Sequence, residues 1–402
     1  MTRANVLEPW VPSPQDPFDL RRAGHLLRRA GYSGSLALRR ELVRNGLATA
    51  LRRVFGEDDS EPSLGQTFFE DARALGAIER VREFRVWLAL SGKRPLQQRM
   101  STFWHGHFAT SNKKITDPAA MLRQLATFDQ LGLGPFATLA QAMARDPALL
   151  RFLDNDTNGK DHPNENFARE WFELFTLGRG NYTERDIQEA ARAFTGFFVS
   201  RGEFAFVARE HDRGDKEILG QRGAFDGGDV ARIAVEQPAS ARFLAAKWLR
   251  WFVHPEPQEE WIAQLAACYL EQGRDVGKTL RVLLQSQLFF GAQAYRSKIK
   301  SPAELLIGTV RSLDARIPPK LLAQAMVEQG EAWCEPPTVE GWHGERAWLS
   351  PATWLLRSNA IAEWFAGKAG PAPQVDGAFA RAKLPAERVQ VAVLLLLDGV
   401  VS

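Results

Sequence analysis

The stretch from Leu153 to Tyr182, LDNDTNGKDHPNENFAREWFELFTLGRGNY, joins a loop rich in side-chain oxygens to a strong helix pattern. Its first half has the spacing D-x-[DN]-x-[DN]-G-x5-E, which is the pattern of a helix–loop–helix calcium site. The apolar segments PALLRFL before the loop and PNENFAREWFELF after it predict an entering and an exiting helix. The stretch therefore predicts a helical fold with calcium bound between two helices. The predicted ligands are Asp154, Asp156, Asn158 and Glu165, with a backbone carbonyl near Lys160.

Two features of this loop depart from an ordinary calcium site. The eighth position, where such loops usually carry a branched aliphatic residue, is Asp161, and no second copy of the loop occurs to pair with it. Gly159 does occupy the sixth position, where a sharp turn favours a residue without Cβ. The alternative is a solvated turn in which Asn164 or Asp161 caps the following helix. Calcium binding and a capped turn are both consistent with the sequence.

The exiting helix carries a face of charged residues. Glu165, Arg169 and Glu173 are spaced four apart, and Glu170 lies one residue off this stripe. Carboxylates that are brought together raise one another's pKa unless a cation neutralises them. This face therefore predicts either a buried ion-pair network or a site for general acid–base catalysis.

Three of the seven histidines lie in motifs that metal chemistry could use. His105 and His107 form an H-x-H pair in the segment WHGHF, and His211 precedes Asp212 in a stretch rich in charges. Residues two apart share a face on an extended segment, but they do not on a helix. Together with Glu170, these side chains would form a catalytic site around a transition metal with open coordination positions. The alternative is that His105 and His107 make structural hydrogen bonds to neighbouring carboxylates.

Composition narrows the function further. The 402 residues are 45% hydrophobic and 25% charged, and the net charge of +3 comes from dispersed basic residues, so no nucleic-acid groove is expected. Cys268 and Cys334 are the only cysteines, which leaves no disulfide framework. No fingerprint of a nucleotide-binding loop or of a serine hydrolase occurs, so we expect no nucleotide cofactor. No apolar run is long enough to span a membrane, and the first residues lack the apolar core of a signal peptide, so we expect a cytoplasmic location for the chain as written.

Helix periodicity with start and stop signals covers most of the chain and predicts an all-α fold, a large orthogonal helical bundle. One short β-hairpin is expected where GFFVS and EFAFVA flank Arg201-Gly202. The stretch 209–228 has too many charges and glycines for a core element, so we expect a surface loop there. Residues 1–366 are expected to form a single helical body. Residues 367–402 are expected to form a linker, within 367–380, and a C-terminal helix packed on that body.

Three tryptophans lie in a segment that is not helical by pattern. Trp333, Trp342 and Trp348 belong to EAWCEPPTVEGWHGERAWLS, which also contains two prolines and two glycines. Aromatic side chains bury a large apolar area, so one interpretation is a loop folded back to plug the bundle. The other interpretation is that these rings stack against a sugar or another ring in a ligand.

Seven segments of the chain, in order, resemble a known family. They are RRAGHLLRRAGYS, RMSTFWHGHFATSNKKI, DPALLRFLDN, PNENFAREWFELFTLGRGNYTERDIQEAARAFTG, HDRGDKEILG, KSPAELLIGTVRSL and EPPTVEGWHGERAWLSPATWLLR. Along nearly its whole length the chain is similar to the bacterial domain-of-unknown-function family 1800. The resemblance implies a large α-helical protein without an established general activity. Many members of that family look exported, and many are encoded beside a second uncharacterised family similar to alkaline-phosphatase-type enzymes.

Two functional classes are consistent with these patterns. The first is a metal-dependent, hydrolase-like enzyme that acts on an extracellular-type polymer or its fragments, with a carbohydrate as one expected ligand. The second is a non-catalytic helical scaffold or binding protein, in which the same residues form a buried polar network and a structural calcium loop, and whose partner is a second protein encoded nearby. Polar networks are costly to bury unless they are fully satisfied or functional, which favours the enzyme slightly.

Overall fold

The computed structural model describes residues 5–57, 76–368 and 382–397. In these ranges the chain forms nineteen α-helices and two small antiparallel sheets, which confirms the all-α class. The helices of the first half are α1 (Leu20–Arg29), α2 (Leu36–Phe55), α3 (Ile78–Ser91), α4 (Pro95–His107), α5 (Asn112–Ile115), α6 (Pro118–Leu131), α7 (Phe136–Met143), α8 (Pro147–Phe152), α9 (Glu165–Glu170) and α10 (Glu184–Ala193). The strands that follow are β1 (Phe197–Ser200), β2 (Glu203–Phe206), β3 (Lys216–Ile218) and β4 (Gln221–Gly223). The helices of the second half are α11 (Gly227–Glu236), α12 (Pro238–Phe252), α13 (Glu259–Glu271), α14 (Val276–Leu284), α15 (Gln287–Phe290), α16 (Pro302–Ser312), α17 (Pro319–Glu328), α18 (Pro351–Phe365) and α19 (Pro385–Leu397).

Strong start signals explain why the chain divides into so many helices. Proline is the first residue of eight of the described helices, including α4, α12 and α16, where its missing N–H costs no hydrogen bond. At the start of α16 the hydroxyl of Ser301 accepts the N–H of Glu304, while the carboxylate of Glu304 accepts the N–H of Ser301. This capping box fixes the position of a carboxylate that reappears below in the wall of a cavity.

The interior is rich in aromatic rings. Trp104, Trp171 and Trp248 are fully buried, and the ring of Trp104 stacks on that of Phe136. Burying one such side chain contributes about 2–3 kcal/mol to folding, so these rings supply much of the force that holds the helices together. Their packing fixes the frame in which the polar side chains of α4 and α12 meet.

The predicted hairpin is present, and a second one accompanies it. In the first hairpin Phe197 pairs with Phe206 and the turn is Arg201-Gly202, as the sequence indicated. The second, β3–β4, lies inside the stretch 209–228, for which a surface loop was the prediction, so that prediction was wrong. Its two-residue turn at 219–220 has positive φ at both positions, and Ile218 is fully buried. Burial of Ile218, together with hydrogen bonds from the N–H groups of residues 217 and 219 to carboxylates of α10, holds this charged stretch in place.

The last helix lies against the start of the chain. Leu395 of α19 is fully buried in a small cluster with Leu36 and Leu313, and the guanidinium group of Arg39 donates to the carbonyls of residues 394 and 395. Residues 369–380 of the predicted linker lie outside the described ranges. Among the described helices, none is long and apolar enough to cross a membrane.

Candidate functional site

A cavity of about 340 Å³ opens between α4, α12, the start of α16 and the segment 331–349, which we call the 331–349 loop. We call this space the central cavity. Its volume suits a small molecule. Its wall is divided between tryptophan rings and charged side chains. The tryptophans are Trp251, Trp342 and Trp348, and the charged residues are Arg99, Lys247, Arg250, Lys298, Glu304, Glu331, Glu340 and Glu345.

Lys247 of α12 is the most unusual group in this wall. Its Nζ lies 3.0 Å from Nδ1 of His107 and 3.1 Å from the carbonyl oxygen of Leu174. Burial, reinforced by the positive charge of Arg250, lowers the pKa of Lys247 to about 7. The face of the Phe243 ring, 4.6 Å from Nζ, favours the ammonium form but does not outweigh burial. Near neutral pH the amine is therefore neutral in a large fraction of the molecules.

A π-helical turn supplies the carbonyl groups that hold this amine in place. The sequence predicted one continuous helix over residues 163–177, whereas α9 ends at Glu170 and is followed by a π-helix over Trp171–Thr176. The N–H of Leu177 accordingly donates to the carbonyl of Phe172, five residues earlier. The last carbonyls of a helix have no backbone partners, so those of Leu174 and Phe175 are free for side chains. They accept from Lys247 and His107.

The ring of His107 is held in one tautomer. Its Nε2 lies 2.9 Å from the carbonyl of Phe175, and since a carbonyl only accepts, the ring proton is on Nε2. Nδ1 is therefore an acceptor for the amine of Lys247. Burial, with the nearby charge of Lys247, lowers the pKa of His107 well below its usual value, so the ring is neutral. A neutral His107 is the hydrogen-bond acceptor that a neutral lysine amine needs.

Two ion pairs form the floor of the central cavity. Arg99 of α4 pairs with Glu304, and its guanidinium lies 4.1 Å from the centre of the Trp251 ring. Burial alone would raise the pKa of Glu304, but the charges of Arg99 and Lys298 outweigh it and lower the pKa to about 2. The Nζ of Lys298 donates to the carboxylate of Glu345 over 2.7 Å. These pairs keep their charges buried and compensated.

Two further carboxyl groups face the central cavity from the 331–349 loop. Glu331 is buried, and its oxygens accept the N–H of Ala303 and the indole N–H of Trp333 over 2.8 and 3.2 Å. Burial raises the pKa of Glu331, so this carboxyl group holds a proton more readily than a free one. Glu340 is exposed at the rim, with Arg179 3.5 Å away. The wall thus offers a buried carboxyl group and an exposed carboxylate.

The 331–349 loop packs against the body, as the first interpretation of its tryptophans predicted. Trp333 and Trp348 are buried, and Gly341 adopts a φ of +84° over the carbonyl of Gly106. A Cβ at Gly341 would lie 2.4 Å from that carbonyl oxygen, so only glycine fits there. The ring of Trp342 then covers α4 and borders the central cavity. Stacking on a ligand stays a prediction for Trp342 and Trp348.

The structure separates the residues predicted to share a catalytic metal. The H-x-H pair lies at the end of the regular helix α4, where residues two apart point to different sides. Nε2 of His105 accepts the backbone N–H of Cys334 over 2.8 Å, and burial lowers the pKa of His105 to about 3. His211 donates from Nδ1 to the carbonyl of Thr195. Among these histidines only His107 lines the central cavity.

The two carboxylates predicted to share the catalytic metal, Glu170 and Asp212, also lie beside other residues. Asp212 pairs with Arg192 over 2.7 Å, and this bond holds the pKa of Asp212 below its usual value. Burial raises the pKa of Glu170, and the negative charges of Glu173 and Glu340 add to the effect. Glu170 thus lies near Glu340 at the rim of the central cavity, whereas Asp212 lines a separate surface groove. In the ranges that the structure covers, no group of three or more His, Cys, Asp or Glu residues is arranged to hold a metal ion.

The oxygens of the predicted calcium loop are largely engaged by protein groups. Asp154 pairs with Lys114 over 2.7 Å, and Glu165 pairs with Arg169 over 3.2 Å. The side-chain oxygen of Asn158 accepts the N–H of residue 164, while its amide nitrogen donates to the side-chain oxygen of Asn155 and to the backbone carbonyl of residue 191. Asp156 is partly buried. The side chain of residue 164 caps α9, as the alternative interpretation predicted. The geometry gives calcium no support, and calcium binding stays a prediction.

Sequence reasoning did not identify Lys247, Arg99 or Glu304. A signal for Lys247 exists in the segment RFLAAKWLRWF, where it lies four residues from both Phe243 and Trp251, in the middle of an otherwise apolar helix face. A lysine on such a face is either at the surface or buried with a lowered pKa. Arg99 and Glu304 carry no comparable signal, because ion pairs between residues distant in sequence depend on the tertiary fold.

Comparison with known proteins agrees with the resemblance seen in the sequence. The family model for "Protein of unknown function (DUF1800)" matches residues 25–400. Comparisons with curated proteins and with solved structures give no match. Because the matched region covers essentially the whole chain, this protein is a member of the DUF1800 family.

Proposed function

We propose that the central cavity is the active site of an enzyme that acts on a small polar molecule with a flat apolar face, such as a sugar or a sugar derivative. The observation that carries this proposal is the amine of Lys247, held at 3.0 Å from His107 and 3.1 Å from the carbonyl of Leu174 in the cavity wall. Reactive lysines in enzymes are those whose pKa is lowered by burial or by a neighbouring positive charge, and both causes act here.

The two hydrogen bonds of Lys247 determine what its amine can do. A neutral amine has two N–H groups and one lone pair. Nδ1 of His107 and the carbonyl oxygen of Leu174 are both acceptors, so they take the two N–H groups. The lone pair is left without a partner in these two contacts, and Lys247 lines the central cavity. Lys247 can then act as a proton acceptor or as a nucleophile toward a bound molecule.

The rest of the wall suits recognition of a sugar-like ligand. The rings of Trp251, Trp342 and Trp348 offer apolar faces of the kind on which sugar rings stack. Glu340 at the rim and the paired Lys298 and Glu345 offer polar groups to ligand hydroxyls. This arrangement supports the carbohydrate ligand that the tryptophan-rich segment indicated.

A lysine-based reaction is favoured over the metal-dependent hydrolysis considered above. A metal at His107 would need its Nδ1, which accepts from Lys247, or its Nε2, which carries the proton given to Phe175. His105 uses Nε2 to accept from the backbone of Cys334. Metal binding at His107 would have to break one of its two buried hydrogen bonds, and each acceptor or donor left without a partner costs about 1–3 kcal/mol.

A second candidate function is a non-catalytic binding protein. The buried pair of Arg99 and Glu304 favours it, because a compensated ion pair with a capping hydrogen bond is also what a structural polar network would contain. In that case the central cavity would bind the same kind of ligand, and Lys247 would only be a hydrogen-bond donor to it.

The experiment has two stages. Monosaccharides, sugar acids and their phosphates are screened for binding by tryptophan fluorescence, first with the wild type and then with Trp342→Ala. The matched control is Trp354→Ala, since Trp354 is 63% exposed and does not line the central cavity. We expect a ligand whose binding is lost in Trp342→Ala and kept in the control. Equal binding by both variants, or no ligand at all, would refute the proposed site.

The second stage separates the enzyme from the binding protein. The bound compound is incubated with the wild type and with Lys247→Met, and its conversion is followed by mass spectrometry. An enzyme converts the compound, and Lys247→Met abolishes conversion while ligand binding persists. If the wild type binds the compound but does not convert it, the enzyme proposal is refuted and the binding-protein function is supported.

A further inference from the structure

We propose that Lys247 attacks the carbonyl carbon of an aldehyde or ketone bound in the central cavity and forms an imine with it. This inference rests on the proposed function and names both the reacting group of the substrate and the bond that the enzyme makes. It is carried by the geometry of the amine, by its contrast with a second lysine in the same wall, and by the carboxyl groups around it.

The position of the amine meets the requirements of a nucleophile. Its two N–H groups are directed to His107 and Leu174, which lie on α4 and on the π-helical turn. Neither contact uses the lone pair. Because both acceptors are fixed in the backbone or in a buried ring, the amine is held in one orientation before a substrate arrives. Such preorganisation removes much of the entropy cost of reaching the attacking geometry.

Lys298 shows by contrast why Lys247 is the reactive lysine. Both line the central cavity, but Nζ of Lys298 donates to the carboxylate of Glu345 and to the carbonyl of Arg250. A carboxylate at 2.7 Å stabilises the ammonium form, which has no lone pair. No carboxylate lies within ion-pairing distance of the amine of Lys247 among the residues described, and its nearest partners are neutral. Burial lowers the pKa of Lys298 as well, but the carboxylates of Glu304 and Glu345 oppose that effect, so Lys298 has an ion-pair partner that Lys247 lacks among the described residues.

The charges around Lys247 come from every side of the central cavity. Arg250, one turn further along α12, lowers the pKa of Lys247, and Glu340 of the 331–349 loop raises it by a smaller amount. His107 of α4 is neutral and the π-helical turn contributes an uncharged carbonyl. The Phe243 ring adds a weak preference for the cation. Burial exceeds all of these effects, so the fraction of neutral amine falls as the pH drops below about 7.

The reaction balances without an oxidant or a reductant. The lone pair of Nζ forms the N–C bond while the carbonyl π electrons move to oxygen, and one proton passes from nitrogen to that oxygen. The resulting carbinolamine loses its hydroxyl group as water, with a second proton taken from nitrogen, and leaves the C=N bond. The neighbouring carboxyl groups can carry these protons, since burial raises the pKa of Glu331 and Glu340 is open to solvent.

The test uses reductive alkylation of the full-length protein. Formaldehyde is the smallest carbonyl probe, and cyanoborohydride converts each imine into a methylated lysine that peptide mapping locates. At about pH 7 we expect Lys247 to be methylated at least about tenfold faster than Lys278, because Lys278 is exposed on α14 and lacks the burial that lowers the pKa of Lys247. Glycolaldehyde, which resembles a small sugar, should show the same preference.

A pair of variants tests the electrostatic reasoning without removing Lys247. Arg250→Met removes the charge that lowers the pKa of Lys247, so the pH midpoint of labelling should move upward and labelling at about pH 7 should slow. Arg250→Lys keeps the charge and should keep the wild-type midpoint. Labelling of Lys247 no faster than Lys278, or an unchanged midpoint in Arg250→Met, would overturn the imine proposal.

Failure of the imine proposal can be told from failure of the proposed function. A wild type that binds a sugar-like ligand through Trp342 but shows no preferential labelling would overturn the imine alone. Preferential labelling of Lys247 that any bound ligand slows supports the imine. Trp342→Ala should lose ligand binding and keep its formaldehyde labelling, because formaldehyde needs no stacking surface.

Discussion

Replacing Lys247 with Met should remove the loss in free energy of unfolding that the wild type shows as the pH falls from 10.5 to about 7. The change keeps an unbranched apolar side chain one atom shorter than lysine and removes the amine, so Nδ1 of His107 and the carbonyl of Leu174 lose their donors. Loss of these two bonds should destabilise the variant by about 1–3 kcal/mol per acceptor at high pH, where the wild-type amine is neutral in both states. At lower pH a second effect opposes this one.

The size of the second effect follows from the pKa of Lys247. Folding lowers that pKa from 10.5 to about 7, which corresponds to about 5 kcal/mol at about 1.4 kcal/mol per pH unit. Between these values the unfolded chain binds the proton and the folded protein does not, so the wild type loses stability as the pH falls from 10.5 to about 7. Below about 7 both states are protonated and the loss is complete. The Met variant lacks this loss and should be as stable as the wild type, or more stable, at about pH 6.5.

The assay is urea unfolding of both proteins at several values between about pH 6.5 and 10. The quantity to plot is the difference in free energy of unfolding, because titrations that both proteins share cancel in it. Lys278→Met is the matched control, since that side chain is exposed on α14, and its difference should not change with pH. A difference for Lys247→Met that is flat across this range, or that has the opposite slope, would refute the assignment of a neutral amine to Lys247 in the folded protein.

Four other predictions concern the surroundings of the central cavity and the predicted calcium loop. Gly341→Ala should lower the free energy of unfolding by at least about 1 kcal/mol more than Gly180→Ala. Both glycines have a φ near +83°, but only a Cβ at Gly341 would meet a carbonyl oxygen, at 2.4 Å. Equal losses in the two variants would contradict this prediction. Arg99→Met should cost about 3–5 kcal/mol by leaving the buried carboxylate of Glu304 unpaired, and a loss below about 1 kcal/mol in urea unfolding would contradict it. The lowered pKa of Glu304 also predicts that the wild type loses about 3 kcal/mol as the pH falls from 4.5 to about 2, which Glu304→Gln should not show. The calcium site predicted at Asp154, Asp156, Asn158 and Glu165 requires calcium to displace Lys114 and Arg169 from their carboxylates; a rise in melting temperature at millimolar calcium would confirm that prediction, and an unchanged melting temperature would refute it.

Local sequence patterns were sufficient to predict the all-α class and the first hairpin. Periodic apolar residues, Pro at helix starts and capping side chains such as Ser301 act within a few residues, so the all-α class could be predicted from them. The Arg201-Gly202 turn likewise specified its hairpin, because positive φ at both positions is a local property. The second hairpin was missed because its order depends on Ile218 being buried against the body, which the charged stretch around it does not reveal.

The site was decided by the tertiary structure. The sequence drew attention to His107 and to the tryptophans of the 331–349 loop, of which Trp342 and Trp348 line the central cavity together with His107. It grouped His107 with His211 and Asp212, although the latter two lie in a separate groove with other partners. Lys247 acquires its chemistry from burial beside residues that are 73 and 140 positions away along the chain. Desolvation and hydrogen bonding act through space, so a residue's pKa is a property of the packed molecule, and no local pattern around Lys247 contains it.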